Sequence, residues 1–179
     1  MVEEFNSPRG IPVMEAIENV EAYLAREKVP VEEALKEIEE KYKRYKYVEQ
    51  TMATQKLNLA EKLPEFESSL AILDVLIDKK AKGESFETTY LMAEEVYAKA
   101  VVPKPEKVAV WLGANVMVEF ELEKAKELLT KNRDTIRANV AELTRELDYV
   151  KDQITTSEVN MAQIYNHGVK KRQTGQASA

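Results

Sequence analysis

Between Val31 and Lys82, apolar residues return every three or four positions: Leu35, Ile38, Tyr42, Tyr45, Met52, Leu59, Leu63, Phe66, Leu70, Leu73 and Ile77, with Glu49, Lys56 and Lys80 polar in the series. An alternation sustained for so many turns predicts a helix with an apolar seam facing another helix, as in a coiled coil. The same alternation resumes at Leu122 and lasts to about His167, through Leu129, Ile136, Val140, Leu143, Leu147, Val150, Ile154, Met161 and Ile164, with Arg133 and Ser157 polar. At ~1.5 Å per residue the two runs make helices of ~78 and ~69 Å. An antiparallel pairing that sets Ile77 beside Leu122 also sets Leu63 beside Ile136 and Leu35 beside Ile164, so the seams stay in register. Pro64 falls inside the first run, but Leu59, Leu63, Phe66 and Leu70 keep their phase across it, which predicts a kink in a continuous helix. Gly83 is the expected stop.

From 87 to 121 the period changes to two. FETTYLMA and VYAKAVV flank Glu94-Glu95, PKPE separates them from KVAVWL, and Gly113-Ala114-Asn115 leads into VMVEFE. Val, Thr, Tyr, Trp and Phe suit strands, and Gly113 and Asn115 tolerate the left-handed conformation of tight turns, so two successive β-hairpins are predicted. Alternation places Val108, Val110 and Leu112 on one face of their strand and Ala109 and Trp111 on the other. Both faces are apolar, which calls for cover on both sides. Four strands are too few to close a barrel and leave unpaired edges. Val108, Val110, Trp111, Leu112, Val116, Val118 and Phe120 are therefore the expected residues of subunit assembly.

Ahead of the first long helix, Val13, Ile17, Val20 and Leu24 recur at helical spacing and predict a short amphipathic helix to about Arg26, after a loose stretch marked by Pro8, Gly10 and Pro12. The expected organisation is a lead-in and short helix over 1–30, a coiled coil with hairpins at 87–121 over 31–168, and a small, polar, disordered tail over 169–179. The fold class is α+β, mostly helical.

Composition narrows the function. The 179 residues are 44% hydrophobic and 32% charged with five glycines, a bias towards long helices. Twenty-six basic and 32 acidic residues give a net charge of −6, interleaved along the chain, so a phosphate-tracking surface is not expected. Cysteine is absent, which removes disulfides and thiolate metal sites and fits a reducing compartment. No apolar stretch approaches the ~18 residues of a membrane span, and no signal sequence is visible, so neither membrane nor export is expected. His167 is the only histidine, and the pairs Glu32-Glu33, Glu39-Glu40 and Glu94-Glu95 sit near lysines as solvated faces do. No phosphate loop, nucleophile elbow or ligand-spaced cluster is present, so the expectation is no catalytic residues, no metal, no cofactor and no enzymatic activity. The basic run Lys170–Arg172 is too short to signal nucleic-acid binding.

WLGANVMVEFE at 111–121, KLPEFESSLAILDVL at 62–76 and GIPVMEAIENVEAYL at 10–24 resemble the α-type prefoldin family, a likeness that extends from about Gly10 to Arg172. The resemblance implies a subunit of a heterohexameric co-chaperone whose hairpins join those of other prefoldin subunits in an intersubunit β-barrel. It also implies that the distal ends of antiparallel coiled coils hold unfolded proteins such as actin and tubulin and pass them to the cytosolic chaperonin without ATP.

On that reading the client-binding tip would use Leu35, Ile38, Tyr42, Met161, Ile164 and Tyr165, which lie at the end of the coil remote from the hairpins. Tyr165 stands beside the seam rather than on it, which makes it a better client-contact candidate than Ile164. The expected location is the cytoplasm, with the nucleus as a second compartment. The alternative is a structural coiled-coil scaffold or tether, which accounts for the heptads but leaves the strands without a purpose.

Overall fold

The computed structural model describes residues 9–176, with side chains over 9–173. The elements in order are α1 (Val20–Glu27), α2 (Val31–Ala60), α3 (Leu63–Lys82), β1 (Phe86–Ala93), β2 (Val96–Val102), β3 (Lys107–Gly113), β4 (Val116–Glu121) and α4 (Leu122–Gln176). They divide into two compact units: residues 58–140, with α3, the four strands and the first part of α4, and residues up to 57 together with 141 onwards.

In the hairpin unit, α3 and α4 pair antiparallel in the expected register. Lys126 reaches Asp74 at 2.6 Å, Lys80 reaches Glu123 at 3.0 Å, and Arg137 bonds Glu67 at 2.5 Å. Leu73, Leu76, Leu122 and Ala125 form a buried cluster against which Ile77, Phe86, Val108, Val110, Phe120 and Leu129 pack. Leu122 and Ala125 are completely inaccessible. The core thus joins helix seam to strand face. Gly83 ends α3 in the left-handed conformation, φ 68°, its N–H reaching the carbonyls of Lys79 and Lys80, and three lysines in the last turn face the negative end of the helix dipole.

The strands form two separate antiparallel ribbons, β1–β2 and β3–β4. Pro103 and Pro105, which carry no N–H, stand in the link between them. In β3–β4, Val108 faces Phe120, Val110 faces Val118, and Trp111 faces Met117. The turn carries Ala114 at φ 48° and Asn115 at φ 62°, the pair of positive values a type I′ turn demands.

In the other unit, α2 and the later part of α4 pack through Ala34, Ile38, Tyr45 and Met52 on one side and Leu143, Leu147, Val150, Ile154, Ser157 and Ile164 on the other, all buried. Tyr42 Oη bonds Glu158 at 3.2 Å. The helices also meet closely at Gly168, where an added Cβ would stand 3.0 Å from Val31.

Three expectations need correction. Residues 11–17 are not helical, and the short helix starts only at Val20, where Asn19 accepts a 3.1 Å bond from the N–H of Ala22. Pro64 does more than kink the helix: the ladder stops at Ala60 and restarts at Leu63, because proline offers no N–H and its ring excludes the carbonyl four residues back. The gap is Glu61 and Lys62, with Lys62 itself in right-handed helical conformation and Pro64 accepted in the first turn of α3. Finally, the predicted disordered tail is helical to Gln176, since Gly168 lies inside α4 rather than at its end. Residues 1–8 and 177–179, on which the lead-in and tail expectations also fall, lie outside the described residues.

Candidate functional site

Each unit carries one surface that packing alone does not explain. In the hairpin unit it is the outer face of the ribbons. The expected assembly residues divide there: Val108, Val110, Val118 and Phe120 turn inward and are half-buried, Val108, Val110 and Phe120 against the helix cluster, while Trp111, Leu112 and Val116 remain exposed. Leu112 has the parity of the inner face, but the register shifts between Trp111 and Gly113. Trp111 and its cross-strand neighbour Met117 are 57% and 58% accessible, a large apolar pair left in solvent. The β1–β2 ribbon is barer still, exposing Tyr90, Leu91, Met92, Val96, Tyr97 and Val101. Sequence reading did not name these six, although FETTYLMA and VYAKAVV carry the same apolar alternation. Beside the inner face, Phe66, Ile72, Leu73, Leu76, Val110 and Trp111 help line an open groove of about 430 Å³.

In the other unit the tip candidates do not behave alike. Ile38 and Ile164 are 1% and 0% accessible and belong to the seam. Leu35, Tyr42 and Met161 are half-buried and Tyr165 is 57% exposed. Tyr47 and Val159, also exposed, were not anticipated, because they lie off the heptad seam that the pattern reading followed.

The same unit holds an arrangement that sequence reading missed. Glu146, Gln153 and Asn160 recur every seventh residue along α4, and all are buried. Chain segment 9–17 lies across them. Met14 N–H donates to Gln153 Oε1 at 2.7 Å, Ile17 N–H donates to Asn160 Oδ1 at 2.9 Å, and Asn160 Nδ2 donates back to the carbonyl of Glu15 at 2.8 Å. Tyr45 Oη donates to the carbonyl of Pro12 at 3.0 Å. Arg9 Nε lies 3.0 Å from Oε2 of the fully buried Glu146, close enough for charge attraction though misaligned for a hydrogen bond.

The ionisable groups follow this packing. Burial, assisted by Tyr149, raises the Tyr45 phenol above its ordinary value, so its hydroxyl stays protonated and able to donate. Glu15 accepts a hydrogen bond from Arg26, which with the guanidinium charge holds the carboxyl below its usual value, and the same bond raises Arg26. Arg26 also lies 5.6 Å from the centroid of the Tyr23 ring. Among the described residues no cluster of three or more His, Asp or Glu could hold a metal ion.

Helices paired through heptad seams and carrying uncovered β-ribbons define a coiled-coil assembly subunit. A family model described as prefoldin subunit matches residues 45–167. The chain is 58% identical over 171 residues to a probable prefoldin subunit 3 of Caenorhabditis elegans, covering 96% of this chain and 92% of the relative. It is 40% identical over 164 residues to prefoldin subunit 3 of Homo sapiens, covering 91% of this chain and 83% of the relative. A cryo-EM structure of filamentous PFD from Methanocaldococcus jannaschii superposes with a TM-score of 0.51 at 20% identity, over 65% of this chain and 94% of that one, a likeness of fold. The chain belongs to the prefoldin family and is a prefoldin-type co-chaperone subunit.

Proposed function

We propose that the chain joins other prefoldin subunits in a heterohexamer through its ribbons and holds unfolded polypeptides, of the actin and tubulin class, at the free end of its coiled coil, for delivery to the cytosolic chaperonin. It works without nucleotide, cofactor or catalysis, in the cytoplasm. The observation that carries the assembly half is the outer face of the ribbons: apolar strands with unpaired edges and residues such as Tyr97, 67% accessible, are stable only when other strands cover them. The holding half draws on Tyr42, Met161 and Tyr165, with the exposed Tyr47 and Val159 on the same two helices. Each contact is weak, and several coils holding one client supply the avidity.

Co-expression with other prefoldin subunits, followed by mass measurement and an aggregation assay with denatured actin, tests both halves. A complex of six chains that suppresses aggregation is expected. A chain that stays monomeric in the presence of the other subunits would overturn the assembly role. An assembled complex that protects no client would leave the scaffold reading in its place.

A further inference from the structure

We propose that the trough on α2 and α4 that holds residues 9–17 is a binding site for extended polypeptide, occupied in the resting chain by its own N-terminal segment and vacated when client arrives. This deepens the holding role proposed above and rests on it.

The trough reads main chain. Four hydrogen bonds run between trough side chains and segment backbone: Tyr45 to the Pro12 carbonyl, Gln153 to the Met14 N–H, and Asn160 to both the Ile17 N–H and the Glu15 carbonyl. Backbone groups are common to every sequence, so such a receptor discriminates for an extended conformation rather than for particular residues. The segment qualifies because none of its residues 11–17 belongs to a helix or strand.

Side-chain demands are few and generic. Met14 and Ile17, three residues apart, are 9% and 7% accessible, while Val13 between the carbonyl and amide contacts is 74% accessible and unread. A third position sets Arg9 against Glu146. The ligand class is thus an extended chain with two apolar residues at i and i+3 and a basic residue about five positions earlier, a pattern common in unfolded proteins.

The chemistry of the trough also permits exchange. Buried amides and carboxylates are costly when left without partners, but once the segment leaves, Gln153, Asn160 and Glu146 face water, which satisfies them. What then remains exposed is apolar surface flanked by oriented donors and acceptors. A tethered segment competes at high effective concentration, so only clients held at several points displace it.

Two measurements on the assembled complex test this, with reduced and carboxymethylated lactalbumin as the unfolded probe. In the wild-type complex, amide exchange at Met14 and Ile17 is expected to accelerate at least about tenfold when the probe saturates it, because both N–H groups lose their acceptors. In a complex carrying Met14→Asp and Ile17→Asp, probe affinity by fluorescence anisotropy is expected to rise about tenfold, the factor returned when a competent state held near a tenth of the population becomes dominant. Adding Gln153→Leu and Asn160→Leu should remove that gain. Probe bound with exchange at Met14 and Ile17 unchanged overturns the proposal while leaving the holding role intact, and so does a gain that survives the Gln153 and Asn160 substitutions. A complex that binds no probe overturns both. The exchange arm needs no substitution, so it decides the matter even where the aspartate variant fails to fold.

Discussion

Two stretches of backbone that belong to no extended sheet are treated in opposite ways. Residues 11–17 lie on the coil with the carbonyls of Pro12 and Glu15 and the N–H groups of Met14 and Ile17 taken up by Tyr45, Gln153 and Asn160, and with the side chains of Met14 and Ile17 buried. The ribbons, by contrast, pair only within themselves and leave Leu91, Tyr97, Trp111 and Met117 in solvent. One region closes its surface with its own chain, and the other leaves it open. On the function proposed above, the open surface receives partner subunits and the closed one exchanges its occupant.

The sharpest way to compare the two regions is to empty their cores. Leu122 and Ile164 are both wholly buried, one in each unit, so Leu122→Ala and Ile164→Ala should each cost about 2–5 kcal/mol of local stability. Urea unfolding followed by amide exchange in each unit separately would measure this. Addition of partner subunits should restore stability to the Leu122 variant far more than to the Ile164 variant, because only the hairpin unit gains cover. Equal restoration would mean that the contrast between the regions is wrong.

A second test loosens the closed region alone. Arg9→Met removes the cation that lies against the buried carboxylate of Glu146 and should cost about 2 kcal/mol, the scale for depriving a buried charged group of a partner. Glu146→Gln in the same chain should recover part of that loss, since a neutral amide tolerates the site better. The readout is exchange at Met14 and Ile17, with the ribbons as an internal control expected not to change.

The open region was the more legible of the two in the sequence. VAVWLGANVMVEFE announces strand, turn and strand, because a strand's period of two and its turn residues are local properties. The register of the coil was also readable, since pairing Leu35 with Ile164 places Val31 next to Gly168, where the two helices meet. The closed region was not. Val13, Ile17, Val20 and Leu24 suggest one continuous helix, yet ahead of α1 the residues that turn inward are Ile11, Met14 and Ile17, every third one, the period of an extended polyproline-like chain. Glu146, Gln153 and Asn160 sit beside the seam, where a pattern reading assigns polar residues to solvent. Only a third element lying across them reveals that they are buried. The break at Glu61 and Lys62 escaped for a related reason: heptad phase survives it, so the pattern carries no trace of the missing ladder bonds.

The open region has its own smaller test, at the turn. Ala114 holds φ 48°, a conformation that costs a residue with a Cβ about 1–2 kcal/mol and that asparagine accepts more readily. Ala114→Asn should therefore stabilise β3–β4 by about 0.5–1 kcal/mol, seen as slower amide exchange in the ribbon. If exchange there is unchanged or faster, the turn is not limiting and the ribbon's stability comes from its contact with Leu73, Leu76 and Leu122.

The gentlest probe of the closed region is pH, which should loosen it at both extremes. Tyr45 is the alkaline limit. Its folded-state pKa is raised above the ordinary value of 10.0 by burial, so the unfolded chain loses the proton first. The stability tied to the neutral phenol is complete below about pH 10 and is lost as the pH climbs through the folded value. Ionised, Tyr45 can no longer donate to the carbonyl of Pro12. Glu15 is the acid limit, with the opposite sign: its folded-state value is depressed below 4.5 by the hydrogen bond and charge of Arg26, so its contribution is present above 4.5 and fades as the pH falls through the folded value. Glu15 and Arg26 are exposed, so the acid effect should be the smaller and should shrink further in salt. Exchange over residues 9–27, corrected for the intrinsic pH dependence of amide exchange, should show a plateau of protection between these limits. In Tyr45→Phe the alkaline loss over residues 9–17 should vanish, leaving in α1 only what Tyr23, whose phenol burial also raises, contributes, and the plateau should sit lower throughout, because the bond to Pro12 is missing at every pH. Persistence of the alkaline loss in that variant would assign it to another group, and the anchoring role of Tyr45 would fall.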